Sequence, residues 1–125
     1  MLKASLIGCT LSLVAAGSAQ AQDAAAGEKV FSKCKACHVI EEAKNRVGPS
    51  LHGIIGRTAG TVEGFKYSDA MIQHGKDGLV WNNENLEKYL EDPKGFVPKN
   101  RMAFAGLKKP EDRANVIAYI DEASK

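Results

Sequence analysis

A chain of 125 residues is the size of one small domain, and 44% hydrophobic with 26% charged residues is an ordinary soluble balance. The net charge of +2 excludes nucleic-acid binding by charge alone. A domain this small buries a modest fraction of its surface, so any large apolar group it held would be a major part of its core.

The first segment, Met1 to Ala21, has the three parts of a secretory signal peptide. Lys3 is a short positive start, Ala4 to Ala16 an apolar run too short to span a bilayer comfortably, and Ala19-Gln20-Ala21 a small-x-small cleavage signal. The expected domains are therefore a cleaved peptide, 1–21, and a folded domain, 22–125. An uncleaved anchor is the rival reading. The Leu6-Ile7-Gly8-Cys9 stretch looks locally like a lipid-attachment box, but it precedes most of the apolar run. Without Lys3 the remaining chain is close to neutral.

Asp23 can cap a helix running through Ala24-Ala25-Ala26 toward Lys35. Gly27, Val30, Phe31 and Cys34 follow the i, i+3, i+4, i+7 pattern and share one face. A glycine there costs about 1 kcal/mol against alanine, which predicts a second helix passing close to Gly27.

That helix leads into Cys34-Lys35-Ala36-Cys37-His38. Two cysteines two residues apart, followed at once by histidine, are the attachment pattern of a c-type haem. Each thiol adds across one vinyl group of the porphyrin, and the spacing lets both sulfurs reach one edge. His38 then lies under the ring. A zinc site needs a second cysteine pair, which the chain lacks; a thioredoxin-like dithiol needs a βαβ setting; a bare disulfide has no use for the adjacent histidine. A haem of this kind would form the centre of the core, so the apo chain is expected to fold poorly.

After His38 come a polar loop, Glu41 to Arg46, and the helix-breaking Val47-Gly48-Pro49-Ser50-Leu51. A backbone carbonyl there can accept the second ring proton of His38 and fix its orientation. Gly53, Gly56 and Gly60 keep the following segment in turns. Ser68 caps a short helix, Asp69 to about Gln73, and Gly75 and Gly78 mark a flexible loop. Asn82 or Asn83 caps a firmer helix bearing Leu86, Tyr89 and Leu90, which Pro93 ends. Pro98 to Phe104 reads as extended loop. Pro110, with Glu111 and Asp112 in the first turn, starts a last helix to about Ala123, with Val116, Ile117, Tyr119 and Ile120 as its apolar side. No segment alternates with strand period.

The sixth coordination position has several candidates: Met71, Met102, His52, His74, a lysine, or none. Met102 is favoured because its loop commits it to no helical face and lies far enough along the chain to reach the opposite side of the ring. Met71, in a predicted helix, reads as packing. His74 reads as solvated and His52 as a surface residue on the His38 side.

The landmarks along the mature chain resemble those of class I cytochromes c, in particular the mitochondrial-like soluble periplasmic proteins of alphaproteobacteria. The resemblance runs over nearly all of 22–125. It is carried by Gly27, Phe31, the Cys34-to-His38 motif, Gly48-Pro49-Ser50-Leu51-His52-Gly53, Gly56-Arg57 and Gly64-Phe65-Lys66-Tyr67. Trp81, Tyr89-Leu90-Glu91-Asp92-Pro93, Arg101-Met102-Ala103-Phe104-Ala105-Gly106 and Ile117-Ala118-Tyr119 complete it.

The resemblance implies an all-α fold, three to five helices wrapped around one haem c held through Cys34 and Cys37, with the first and last helices crossing. It makes His38 and Met102 the axial iron ligands and Pro49 the acceptor for the His38 ring. Gly27 and Phe31 would pack on Val116 and Tyr119. Arg57, Tyr67 and Trp81 would neutralise or hydrogen-bond the propionates, and Tyr89 would lie near the Met102 sulfur. Asn100 stands where the family often has threonine, so a polar contact near Tyr89 and the propionate is expected in altered form. Three departures stand out: a longer Met71–Val80 loop, Met71 where many members have asparagine, and a loop between His38 and Pro49 shorter by a residue.

The implied activity is single-electron transport by a soluble periplasmic monomer that is not an enzyme and not membrane-embedded. The alternative is a haem sensor or weak peroxidase with a displaceable Met102. Thioether attachment in bacteria takes place beyond the inner membrane, which agrees with the export signal. The family's partners are a cytochrome bc complex as donor and a terminal oxidase or photosynthetic reaction centre as acceptor, with periplasmic dehydrogenases among the further possibilities. The expected docking ring is Lys33, Arg46, Lys94, Arg101, Lys108 and Lys109, with Glu63, Asp77, Glu84 and Glu87 elsewhere.

Overall fold

The computed structural model describes residues 22–125, so the signal peptide expected over 1–21 lies outside the described residues. Five helices follow one another: α1 Ala24–Phe31, α2 Asp69–Lys76, α3 Asn83–Glu91, α4 Pro93–Phe96 and α5 Pro110–Ala123. The all-α expectation holds. Among the described residues the nearest approach to a sheet is an isolated antiparallel bridge, Thr58 with Val80.

α1 starts where the Asp23 carboxylate accepts from the N–H groups of Ala25 (2.9 Å) and Ala26 (3.1 Å). Regular helix ends at Phe31 rather than near Lys35. The chain nevertheless continues in tight turns, with Cys34 N–H on Phe31 O (2.8 Å) and His38 N–H on Cys34 O (2.9 Å).

α1 crosses α5, the most extensive helix–helix contact in the fold. Gly27 sits at the crossing: a Cβ there would lie 2.5 Å from the Asn115 carbonyl carbon and 3.0 Å from Tyr119 Cβ. One turn along, the Phe31 ring meets Tyr119 with centroids 5.1 Å apart. Asn115 also accepts from the Asp23 N–H at 3.0 Å, tying the start of α1 to the middle of α5.

α2 begins where the Ser68 hydroxyl accepts from Met71 N–H (3.1 Å). It runs to Lys76, beyond the Gln73 end read from the sequence, so Gly75 is not loop. Gly75 is buried in the helix, and a Cβ on it would lie 2.9 Å from the Ala59 carbonyl carbon. Close packing, not flexibility, requires this glycine. Most of the segment read as a longer Met71–Val80 loop is therefore helix.

Asn82 caps α3 through Asn85 N–H (2.8 Å), and Leu86 and Tyr89 are its buried residues. Pro93 ends α3 but also opens α4, whose cap is the Asp92 carboxylate on Gly95 N–H (3.1 Å). A proline lacks the N–H that a first helical turn leaves unused, so one residue does both jobs. α5 has the bounds its sequence signals give, and buries Val116, Ile117 and Ile120.

The core gathers Phe31, Ile40, Ile54, Trp81, Leu86, Tyr89, Val97 and the buried face of α5. Around the Thr58–Val80 bridge, Gly56 N–H bonds Trp81 O and Trp81 N–H bonds Arg57 O, each at 2.9 Å. This short ladder sets Arg57 beside Trp81. No described helix is long and apolar enough to cross a membrane.

Candidate functional site

Cys34 and Cys37 are both half-buried and form no disulfide with one another. Burial pushes the Cys34 thiol above its ordinary range; the Cys37 charge adds to this and Lys33 opposes it. Cys34 is therefore not the activated, low-pKa thiolate that a redox dithiol needs. Among the described residues no three His, Cys, Asp or Glu side chains gather to hold a metal ion, so the zinc reading has no donor set.

His38 follows directly. Its Nδ1 lies 2.8 Å from the Pro49 carbonyl. A carbonyl can only accept, so Nδ1 carries the proton and the Nε2 lone pair is left for another partner. Burial lowers the His38 pKa below 6.5, partly opposed by the Pro49 bond and reinforced by the Arg57 charge, so the ring is neutral near pH 7.

The loop that supplies Pro49 is zipped to the motif. Gly48 N–H bonds Cys37 O (2.9 Å) and Leu51 N–H bonds Val39 O (2.8 Å). Ser50, buried, donates its hydroxyl to Glu42 O (2.6 Å) and its N–H to Asn45 Oδ1 (2.9 Å). Gly48 lies against the imidazole itself: a Cβ would be 2.7 Å from Nδ1 and 2.9 Å from Nε2. The sequence marked Gly48 only as a helix breaker; its tighter duty is to make room for the His38 ring.

Met102 is half-buried in the loop after α4. The Tyr89 hydroxyl donates to its sulfur at 3.9 Å, and burial pushes the Tyr89 pKa up to about 12, so the donor stays protonated. Tyr89 is held by Trp81, with ring centroids 4.8 Å apart, and by Phe96 at 6.3 Å. The other sulfur and imidazole candidates are committed elsewhere. Met71 is core, 8% exposed. His52 Nδ1 faces Ile40 O at 3.3 Å, and His74 Nδ1 faces Ala70 O at 2.8 Å inside α2. His74 is thus half-buried and helical rather than a solvated loop residue.

Arg57 donates to Ser50 O (2.8 Å) and His52 O (3.3 Å), and burial lowers its pKa. The Tyr67 hydroxyl accepts from Val62 N–H (3.1 Å), and burial raises its pKa while Arg57 pulls it back. Arg57 and Tyr67 therefore feel one another's charge, and Arg57 stands next to buried Trp81. Asn100 differs from expectation. It is buried, and its amide meets the backbone of residues 93, 97 and 102 together with Lys94.

The six cations of the expected ring are all exposed, although Lys94 reaches Asn100 O and Lys108 reaches Glu91 O (2.9 Å). Of the four acids placed elsewhere, Glu87 is not a free surface charge. It pairs with Arg113, a buried residue the sequence reading passed over. Arg113 also donates to Leu107 O (2.7 Å) and Lys108 O (3.1 Å), fastening the end of the Met102 loop to α3 and α5. Its signal was present: Arg113, Val116, Ile117 and Ile120 share one helical face.

Two thiols beside a neutral imidazole with one free nitrogen, and a thioether in a half-buried aromatic setting, suit a covalently held haem. Comparison with known proteins agrees. Residues 24–124 match the family described as Cytochrome c. Cytochrome c2 iso-2 of Magnetospirillum fulvum is 59% identical over 90 residues, covering 72% of this chain and 91% of that protein. Cytochrome c2 of Agrobacterium tumefaciens (strain II Chrys) is 52% identical over 99 residues, covering 78% and 89%. Among solved structures, cytochrome cH from Methylobacterium extorquens superposes with a TM-score of 0.73 at 46% identity, covering 80% of this chain and 98% of that one. With a family match over the whole described fold and relatives above half identity, the chain belongs to the cytochrome c family.

Proposed function

We propose that this cytochrome c moves single electrons between larger redox proteins through a haem fixed by Cys34 and Cys37, with His38 and Met102 as its axial ligands. As a member of its family it is an electron carrier with one covalently attached haem c, not an enzyme. The observation that carries the ligand assignment is the state of His38: neutral, with Nδ1 held by Pro49 and the ring fitted against Gly48.

The bound haem supplies a one-electron iron couple. The residues do the rest. Cys34 and Cys37 anchor it, and the Pro49 bond orients His38 and raises its basicity as a ligand. Met102 would offer a neutral thioether, which would favour the reduced, lower-charge iron and raise the potential relative to bis-histidine ligation. If His38 and Met102 both hold the iron, no position would be left open for oxygen chemistry. The Tyr89 bond to the Met102 sulfur argues against the sensor or peroxidase alternative. Arg57 and Trp81, set side by side by the 56–59 and 79–81 ladder, and Tyr67, which feels the Arg57 charge, are the groups proposed to meet the propionates.

Its redox partners are transient, so docking should use a small, weak interface. The proposed docking ring is Lys33, Arg46, Lys94, Arg101, Lys108 and Lys109, all exposed. The proposed donor is a cytochrome bc complex and the proposed acceptor a terminal oxidase or photosynthetic reaction centre. The proposed location is the periplasm, reached by export on the 1–21 signal peptide, which is then cleaved.

Haem that stays on the chain in a denaturing gel, with no carbon monoxide bound by the reduced native protein, is the expected result. Rapid carbon monoxide binding would move the sensor reading forward. Electron-transfer rates with a membrane fraction should fall steeply with salt, and less steeply in Lys33→Glu.

A further inference from the structure

We propose that Asn100 is a positioning residue that sets how firmly Met102 is presented to the iron; this rests on the His38/Met102 reading above. Asn100 is 5% exposed, and both ends of its amide are engaged. Nδ2 donates to Pro93 O (2.8 Å) and Val97 O (2.9 Å). Oδ1 accepts from the Met102 N–H (2.9 Å) and lies 3.5 Å from Lys94 Nζ. The amide orientation is fixed by chemistry: two carbonyls need the NH₂ end, and a backbone N–H needs the oxygen.

The amide therefore clamps Met102 to α4, whose own start is capped by Asp92. Lys94, on the same helix, donates to the Asn100 carbonyl. Lys99, just before the clamp, takes the left-handed φ of 66°, uncommon for a side-chain-bearing residue. The far end of the loop is fixed independently, by Leu107 N–H on Leu90 O (2.7 Å) and by Arg113.

Between those ends, Met102 is tied by Asn100 through its backbone and by Tyr89 through its sulfur. A threonine, with one hydroxyl on a shorter stem, cannot serve two carbonyls and an N–H together. An alanine leaves the Met102 N–H without its acceptor and removes the side-chain donor from the Pro93 and Val97 carbonyls, which keep only the backbone bonds from Val97 N–H (3.0 Å) and Asn100 N–H (3.1 Å). Loosening the Met102 backbone makes its thioether easier to displace without exposing the His38 side.

The test is imidazole titration of the ferric holoprotein, with amide exchange of Met102 as a second readout. In Asn100→Ala, imidazole should bind about tenfold more tightly, equal to 1.4 kcal/mol, and the sulfur-to-iron band should weaken. Asn100→Asp keeps the acceptor for Met102 N–H but turns a carboxylate oxygen toward two carbonyls, and should behave like Asn100→Ala. Gly27→Ala, which strains the α1–α5 crossing on other elements, should leave imidazole affinity unchanged. Equal affinities for wild type and the Asn100 variants, or an equal rise in Gly27→Ala, would overturn the proposal. So would a Met102 amide that exchanges at the solvent rate in the wild type, a result that needs no variant to fold. A band that persists in Met102→Ala would instead overturn the ligand reading beneath it.

Discussion

Gly27→Ala tests the packing that holds the fold closed. In an isolated helix the change stabilises by about 1 kcal/mol. Here the new methyl carbon would lie 2.5 Å from the Asn115 carbonyl carbon, against an ordinary contact of about 3.5 Å. Backbone on α5 cannot rotate away as a side-chain tip would. α1 and α5 must separate by roughly 1 Å, which loosens the Phe31–Tyr119 contact and the packing of Val116. Overpacking of this kind costs about 1–3 kcal/mol, and a backbone clash belongs at the upper end. Set against the propensity gain, the net loss is about 2 kcal/mol. In a domain of this size that lowers Tm by about 10 °C. Guanidinium unfolding of the ferric holoprotein, followed by far-UV circular dichroism, reads it directly. A variant as stable as wild type, or more stable, would refute the close crossing.

Arg113→Ala should destabilise by about 2–3 kcal/mol, because it strips donors from the buried Leu107 carbonyl and the partly buried Lys108 carbonyl. Glu87→Gln at the exposed end of the pair should cost under about 1 kcal/mol, and denaturant midpoints separate the two. Tyr89, raised by burial to about 12, binds its proton more tightly folded than unfolded. Its contribution is fully present below the unfolded value near 10 and is lost as pH rises through 12, a fall of roughly 2–3 kcal/mol that Tyr89→Phe should remove from the alkaline unfolding curve. Gly48→Ala drives a methyl into the His38 ring, and should cut the yield of haem-loaded protein in co-expression while leaving the thiols intact, as read by haem stain against total protein.

α5 was legible because its start combines a proline with first-turn acids and its face repeats every three to four residues. A close helix crossing at Gly27 was legible because that glycine sits on an apolar stripe, where packing explains a missing side chain better than tolerance does; that its partner is α5 came from the resemblance. Gly75 misled for the opposite reason: a glycine among polar residues looks the same in a loop as in a helix pressed against Ala59. α4 has four residues, too few to show a period, and its proline also reads as a stop. The neighbours Pro49 of His38 and Tyr89 of Met102 came from resemblance rather than pattern. Asn100 carries no periodic signal, since its partners are backbone groups that any sequence would supply. Arg113 was legible in principle, as a charge on the face of Val116, Ile117 and Ile120.

The central claim is that His38 and Met102 share the iron of an electron carrier. The long-wavelength sulfur-to-iron charge-transfer band of the oxidised protein tests it most directly. The wild type should show a band that vanishes in Met102→Ala and survives in Met71→Leu. Haem bound without the band, or a band indifferent to Met102, would contradict it.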